Sequence, residues 1–68
     1  MSNYTIQVTD IEGYEVYALE LDFKRAAISH AKLMARDLEL VAAGASKVEV
    51  IDETGYCVYD EVCGSVTA

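Results

Sequence analysis

The stretch DFKRAAISHAKLMARDLELVAA, residues 22 to 43, decides the fold, because no other segment is long and apolar enough to cover a sheet. It contains neither Gly nor Pro and is rich in Ala, Leu, Lys and Arg, which lose least on entering a helix. Asp22 is suited to cap the first free N–H groups, and Gly44 stands where a left-handed residue ends a helix, so one helix is predicted over residues 22–43. At 100° per residue, Phe23, Ala27, His30, Ala31, Met34, Leu38 and Val41 fall on one arc, predicted to face the core. Arg25, Ser29, Lys32, Arg36 and Glu39 fall opposite, as a solvated stripe. Ile28 widens the apolar arc on one flank and Leu33 and Leu40 on the other, giving more apolar surface than one sheet face needs. The surplus at Leu33 and Leu40 is a candidate dimer contact.

Outward from the helix, both flanks read as hairpins. Tyr4 to Thr9 alternates apolar and polar residues, Asp10-Ile-Glu-Gly13 has the Asp and Gly of a type I turn with a glycine bulge, and Tyr14 to Leu21 returns. Lys47 to Asp52, the turn Asp52-Glu-Thr-Gly55 and Tyr56 to Val62 repeat that plan. The segments starting at Val8 and Val50 share V-x-D-x-x-G-Y-x-V-Y, agreeing at six of ten positions 42 residues apart. Two explanations stand: convergence, since any such hairpin favours these residues, or a pseudo-symmetric ββ-α-ββ domain. The fold class is therefore α+β, a four-stranded, mostly antiparallel sheet with one long helix on one face. Strand order 2-1-3-4 is preferred over 1-2-4-3. Residues 1–63 form a single domain, with a frayed tail over 64–68.

Simple alternation places Ile6, Val8, Val16, Val48, Val50 and Val58 against the helix, with Tyr4 and Tyr56 nearer the edge. The other face then carries Thr5, Gln7, Glu15, Tyr17, Leu19, Glu49, Ile51, Cys57, Tyr59 and Glu61. Of these, Glu15, Tyr17, Leu19, Glu49, Ile51, Tyr59 and Glu61 are the candidate protein-binding residues. Aromatic bodies among carboxylates make an interface core with a charged rim, and Tyr17 and Tyr59 are expected to stand together there.

Sixty-eight residues make one small domain of marginal stability unless it oligomerises. A hydrophobic fraction of 53% is too high for a disordered chain, and no apolar run reaches the ~20 residues of a membrane span. The start Met-Ser-Asn-Tyr-Thr has no basic region leading into an apolar one, so no secretory signal is expected and the cytoplasm is the default location. Cys57 and Cys63, about 20 Å apart if the chain between them is extended, are expected to be free thiols. The net charge of −7 divides as −4 over residues 1–21, +1 over 22–43 and −4 over 44–68. Such strands repel nucleic acid and attract a basic protein surface.

Chemical motifs are few. His30 lies on the core-facing arc with no second ligand or base at a recognisable spacing, so it reads as structural. Cys57 has acidic neighbours, which disfavour a thiolate nucleophile. The acids Asp10, Glu12, Asp52 and Glu53 sit in two short turns, unlike the single long loop of a calcium site. No catalytic residue, metal ligand or cofactor is predicted.

With the Asp-x-x-Gly turns and the Ala-rich helix in place, the chain resembles small ββαββ proteins of bacteria and their phages. Its last hairpin, Val48-Glu-Val50-Ile-Asp52-Glu-Thr-Gly55, resembles that of bacterial families with no assigned activity. In size, acidity and layout it also resembles phage-encoded inhibitors of host defence, including anti-CRISPR proteins. Several such inhibitors are small αβ domains acting by protein contact. From the acidic, tyrosine-bearing face and the lack of a nucleophile with a base, the expected function is a non-enzymatic protein-binding module, with a structural homodimer through the open sheet face or helix flank as the alternative.

Overall fold

The computed structural model describes residues 3–64. The elements are β1 (Tyr4–Asp10), β2 (Glu15–Leu21), α1 (Lys24–Ala35), α2 (Leu38–Ala42), β3 (Ala45–Ile51) and β4 (Cys57–Val62). All four strands pair antiparallel in the order β2-β1-β3-β4, the preferred arrangement of the two. The central strands carry the most consistently apolar alternation, and Ile6, Val8, Val48 and Val50 are completely buried. Across from them α1 presents Ala27, Ala31 and Ala35, whose short side chains let the helix close on the sheet, with Met34 and Ala45 completing the core.

The helical region is two helices, not one. Arg36 and Asp37 donate to the carbonyls of Leu33 and Met34, tightening the last turn, and Asp37 adopts an extended backbone. Its carboxylate accepts the Glu39 N–H at 2.9 Å and starts α2. An aspartate inside a helix competes for the backbone in this way. Geometry favours the break, since a straight 22-residue helix would run ~33 Å against ~23 Å for seven-residue strands. Gly44, at φ 103°, ends α2 as predicted, whereas α1 begins after Phe23 with no side-chain cap, so Asp22 does not serve as one. The buried stripe is rotated from the predicted arc toward Ile28 and Ala35. Phe23, His30 and Leu38 are exposed, while Arg25, Ser29, Lys32, Arg36 and Glu39 face solvent as expected.

Both hairpins close as the Asp-x-x-Gly-Tyr pattern predicts, and they do so identically. The Asp10 and Asp52 N–H groups donate to the carbonyls of Tyr14 and Tyr56, and Gly13 and Gly55 donate back to the aspartate carbonyls. Each aspartate carboxylate also accepts two further backbone N–H groups, from Glu12 and Tyr14 in one turn and from Thr54 and Tyr56 in the other.

A bulge follows each turn and changes the phase of the returning strand. Val8 pairs with Tyr17 but Thr9 with Glu15, leaving Val16 as the extra residue. Val50 pairs with Tyr59 but Ile51 with Cys57, leaving Val58. A one-residue insertion turns every later side chain to the opposite face. Tyr17, Leu19 and Leu21 therefore share the helix side with Val8, Ile6 and Tyr4, and Tyr59 and Glu61 share it with Val50 and Val48. The expectation that Tyr17, Leu19, Tyr59 and Glu61 lie on the open face is corrected. Val16 and Val58, at the bulges, still pack against the core, whereas Tyr56 is exposed.

The pairing of β1 with β3 places Gln7 opposite Glu49, residues that are themselves 42 positions apart, with Ile6 opposite Val50 and Val8 opposite Val48. Adding 42 to the β1 member of a pair and subtracting 42 from its β3 member turns one pair into another, Ile6–Val50 into Val48–Val8 and Thr5–Ile51 into Lys47–Thr9, so a local two-fold axis passes between Gln7 and Glu49 and relates the hairpins. Tyr17 and Tyr59 consequently stand on opposite edge strands, one on each side of α1, and not together. Gly64, the first residue of the expected tail, donates its N–H to the Ala35 carbonyl at 2.9 Å, and Cys63 donates to the Ser46 carbonyl at 2.8 Å. Residues 65–68 lie outside the described residues.

Candidate functional site

The sheet side away from the helices is laid out by the register in three rows running from β2 to β4. The first row is Glu20, Thr5, Ile51 and Cys57; the second is Ala18, Gln7, Glu49 and Asp60; the third is Glu15, Thr9, Lys47 and Val62. Strands lie ~4.8 Å apart, so the surface is about 14 Å across. Among the described residues it bears four carboxylates against the single cation Lys47, whose Nζ lies 3.6 Å from Glu49 Oε2. Asp60 stands directly across from Glu49, a like-charged cross-strand pair that opposes folding. Ile51, Cys57 and Val62 add a broken apolar strip along β3 and β4.

Of the predicted binding residues, Glu15, Glu49 and Ile51 belong to this face, and Glu20, Asp60 and Val62 join it though the alternation passed them over. The signal for the shift lies in the sequence. Val16-Tyr17 and Val58-Tyr59 put two apolar residues in succession, and Tyr17, Leu19 and Leu21 then alternate with Ala18 and Glu20.

The helix side holds the two tyrosines in different surroundings. The Tyr59 hydroxyl donates to Glu61 Oε1 at 2.6 Å, and Lys32 Nζ sits 5.8 Å from the ring centroid. The bond to Glu61, helped by burial and by the Glu61 charge, raises the phenol above its ordinary range. Tyr17 is 46% exposed. It borders a groove lined also by His30 and Met34 of α1, by Asp37, and by Glu39 and Leu40 of α2. Leu33 lies elsewhere on α1, 67% exposed, so Leu33 and Leu40 do not form one flank.

Both cysteines are free thiols. The Cys57 thiol donates to the Tyr59 carbonyl at 3.3 Å, and burial, with the Glu61 charge, pushes the Cys63 thiol up. Among the described residues, no group of three or more His, Cys, Asp or Glu side chains is placed to hold a metal ion, and no helix is long and apolar enough to cross a membrane. The architecture is an α+β sheet covered by helices on one side. Comparison with protein-family models, characterised proteins and solved structures finds no match for the chain.

Proposed function

We propose that this protein is a non-enzymatic, cytoplasmic binding module whose open sheet face docks on a basic protein surface. A phage inhibitor that occupies the nucleic-acid-binding surface of a host defence protein is one instance of that reading. The observation that carries it is the concentration of Glu15, Glu20, Glu49 and Asp60 on one face with Lys47 as the single cation among the described residues. A protein maximising stability gains nothing from Asp60 beside Glu49, but a cationic partner converts that repulsion into attraction and speeds encounter. Ile51 and Val62 supply the apolar contact that such an interface needs at its centre.

The test is affinity capture from host extract with three baits: the native chain, the open-face variant E20K/D60K, and the turn variant D22K/E53K, which makes the same change in net charge at two exposed turn positions outside the three rows of that face. Basic proteins held by the native chain and the turn variant, lost by the open-face variant and released by moderate salt, are the expected result. Equal retention by all three refutes the open face as the contact.

Exposure of Leu33 at 67% and Leu38 at 80% favours a second reading, a homodimer joined through the helices. A dimer through the open faces is disfavoured, because it apposes acidic surfaces. Sedimentation equilibrium separates the readings, a concentration-independent monomer excluding the dimer.

A further inference from the structure

We infer that the groove beside Tyr17 receives one cationic side chain, lysine or arginine, from a partner protein. The inference rests on the reading of a basic partner but places a contact on the opposite side of the sheet. Its warrant is the internal repeat, which shows the same tyrosine in two states. The two-fold relation carries Tyr17 onto Tyr59 and Leu19 onto Glu61. At Tyr59 the chain supplies its own cation over the ring, Lys32, and its own acceptor for the hydroxyl, Glu61. At Tyr17 the acceptor position is Leu19 and the neighbouring helix residues are His30 and Met34, and among the described residues the groove lining includes no lysine or arginine.

The surroundings of that bare ring suit a cation from outside. Asp37 and Glu39 give the groove a negative rim, and one Asp37 oxygen holds the Glu39 N–H, leaving the other for a ligand. Met34 and Leu40 offer apolar wall to the methylenes of a long basic side chain, which buries its stem and keeps its charge at the mouth. The groove holds about 320 Å³, room enough for one lysine or arginine side chain.

The test is a nuclear magnetic resonance titration of the full chain with N-acetyl-lysine N-methylamide, N-acetyl-arginine N-methylamide and the neutral N-acetyl-norleucine N-methylamide. Saturable shifts at Tyr17, Met34 and Leu40 with both cations, absent with norleucine, are expected. Tyr17→Leu should weaken binding about two- to five-fold through loss of the ring face. Glu39→Gln, at an exposed position that leaves the fold intact, should weaken it as well. Equal shifts with norleucine, or no saturable shift with any probe, overturn the inference. Shifts confined to Glu15, Glu49 and Asp60 also overturn it while leaving the open-face reading standing. Groove shifts combined with capture insensitive to E20K/D60K give the converse.

Discussion

Replacing Val48 with alanine tests which side of the sheet the helices cover. Val48 lies on β3, completely buried beneath α1. The substitution deletes two methyl groups at ~0.8 kcal/mol each, and the unfilled space beneath a helix already resting on alanines lifts the cost to about 2–3 kcal/mol. A chain of this length has on the order of 3–10 kcal/mol of stability, so the loss is a large fraction of it. At roughly 4–8 °C per kcal/mol, the melting temperature should fall by on the order of 10–20 °C. Val62→Ala removes the same atoms from the open side of β4, where the side chain is exposed, and should cost less than about 0.5 kcal/mol. Urea unfolding followed by circular dichroism gives both values, with an unchanged slope confirming that the denatured state is not altered. Comparable losses at the two positions would refute one-sided coverage.

Three further outcomes follow from local geometry. The Asp52 carboxyl is held below its ordinary 3.8 by the Thr54 hydroxyl, against some desolvation, and by the backbone N–H groups of Tyr56, Thr54 and Gly55. Its stabilising contribution is therefore present above about pH 4 and lost as pH falls through the lower folded value, so Asp52→Asn should flatten the acid limb of urea midpoints measured at descending pH. The Tyr59 phenol, raised above 10.0 chiefly by its bond to Glu61, contributes stability that is present below that value and lost as pH rises through the folded one; Glu61→Gln should lower its midpoint in an ultraviolet titration. Gly44→Ala meets no atom within 4 Å but forces φ 103° on a residue with a Cβ, and should cost about 1–2 kcal/mol by urea unfolding, a neutral result contradicting the left-handed turn.

Much of the fold is legible in the residues because local chemistry and packing agree. The Asp and Gly of each turn, the alternation of Ile6 and Val8, and that of Val48 and Val50 all specify the observed hairpins and inner core. What escapes simple alternation is what one extra residue does. Val16 and Val58 look like the inward members of their strands, and strict period two sends Tyr17 and Tyr59 outward; the bulge reverses them. The helix was legible as apolar and uninterrupted by Gly or Pro, but the break at Asp37 depends on its carboxylate taking the Glu39 N–H that an unbroken helix would give to the Ala35 carbonyl. The candidate site was legible by charge more than by position. Glu15 and Glu49 are where alternation puts them, Glu61 is not, and Glu20 and Asp60 become visible as site residues only once the register is known.

Tyr17 and Tyr59 lie on the helix side of the sheet, and carboxylates dominate the other. The most direct measurement is a set of nuclear Overhauser contacts from the two tyrosine rings. Contacts from Tyr59 to the Lys32 methylenes and from Tyr17 to the Met34 methyl are predicted. Contacts from either ring to Gln7 or Glu49 instead would contradict it.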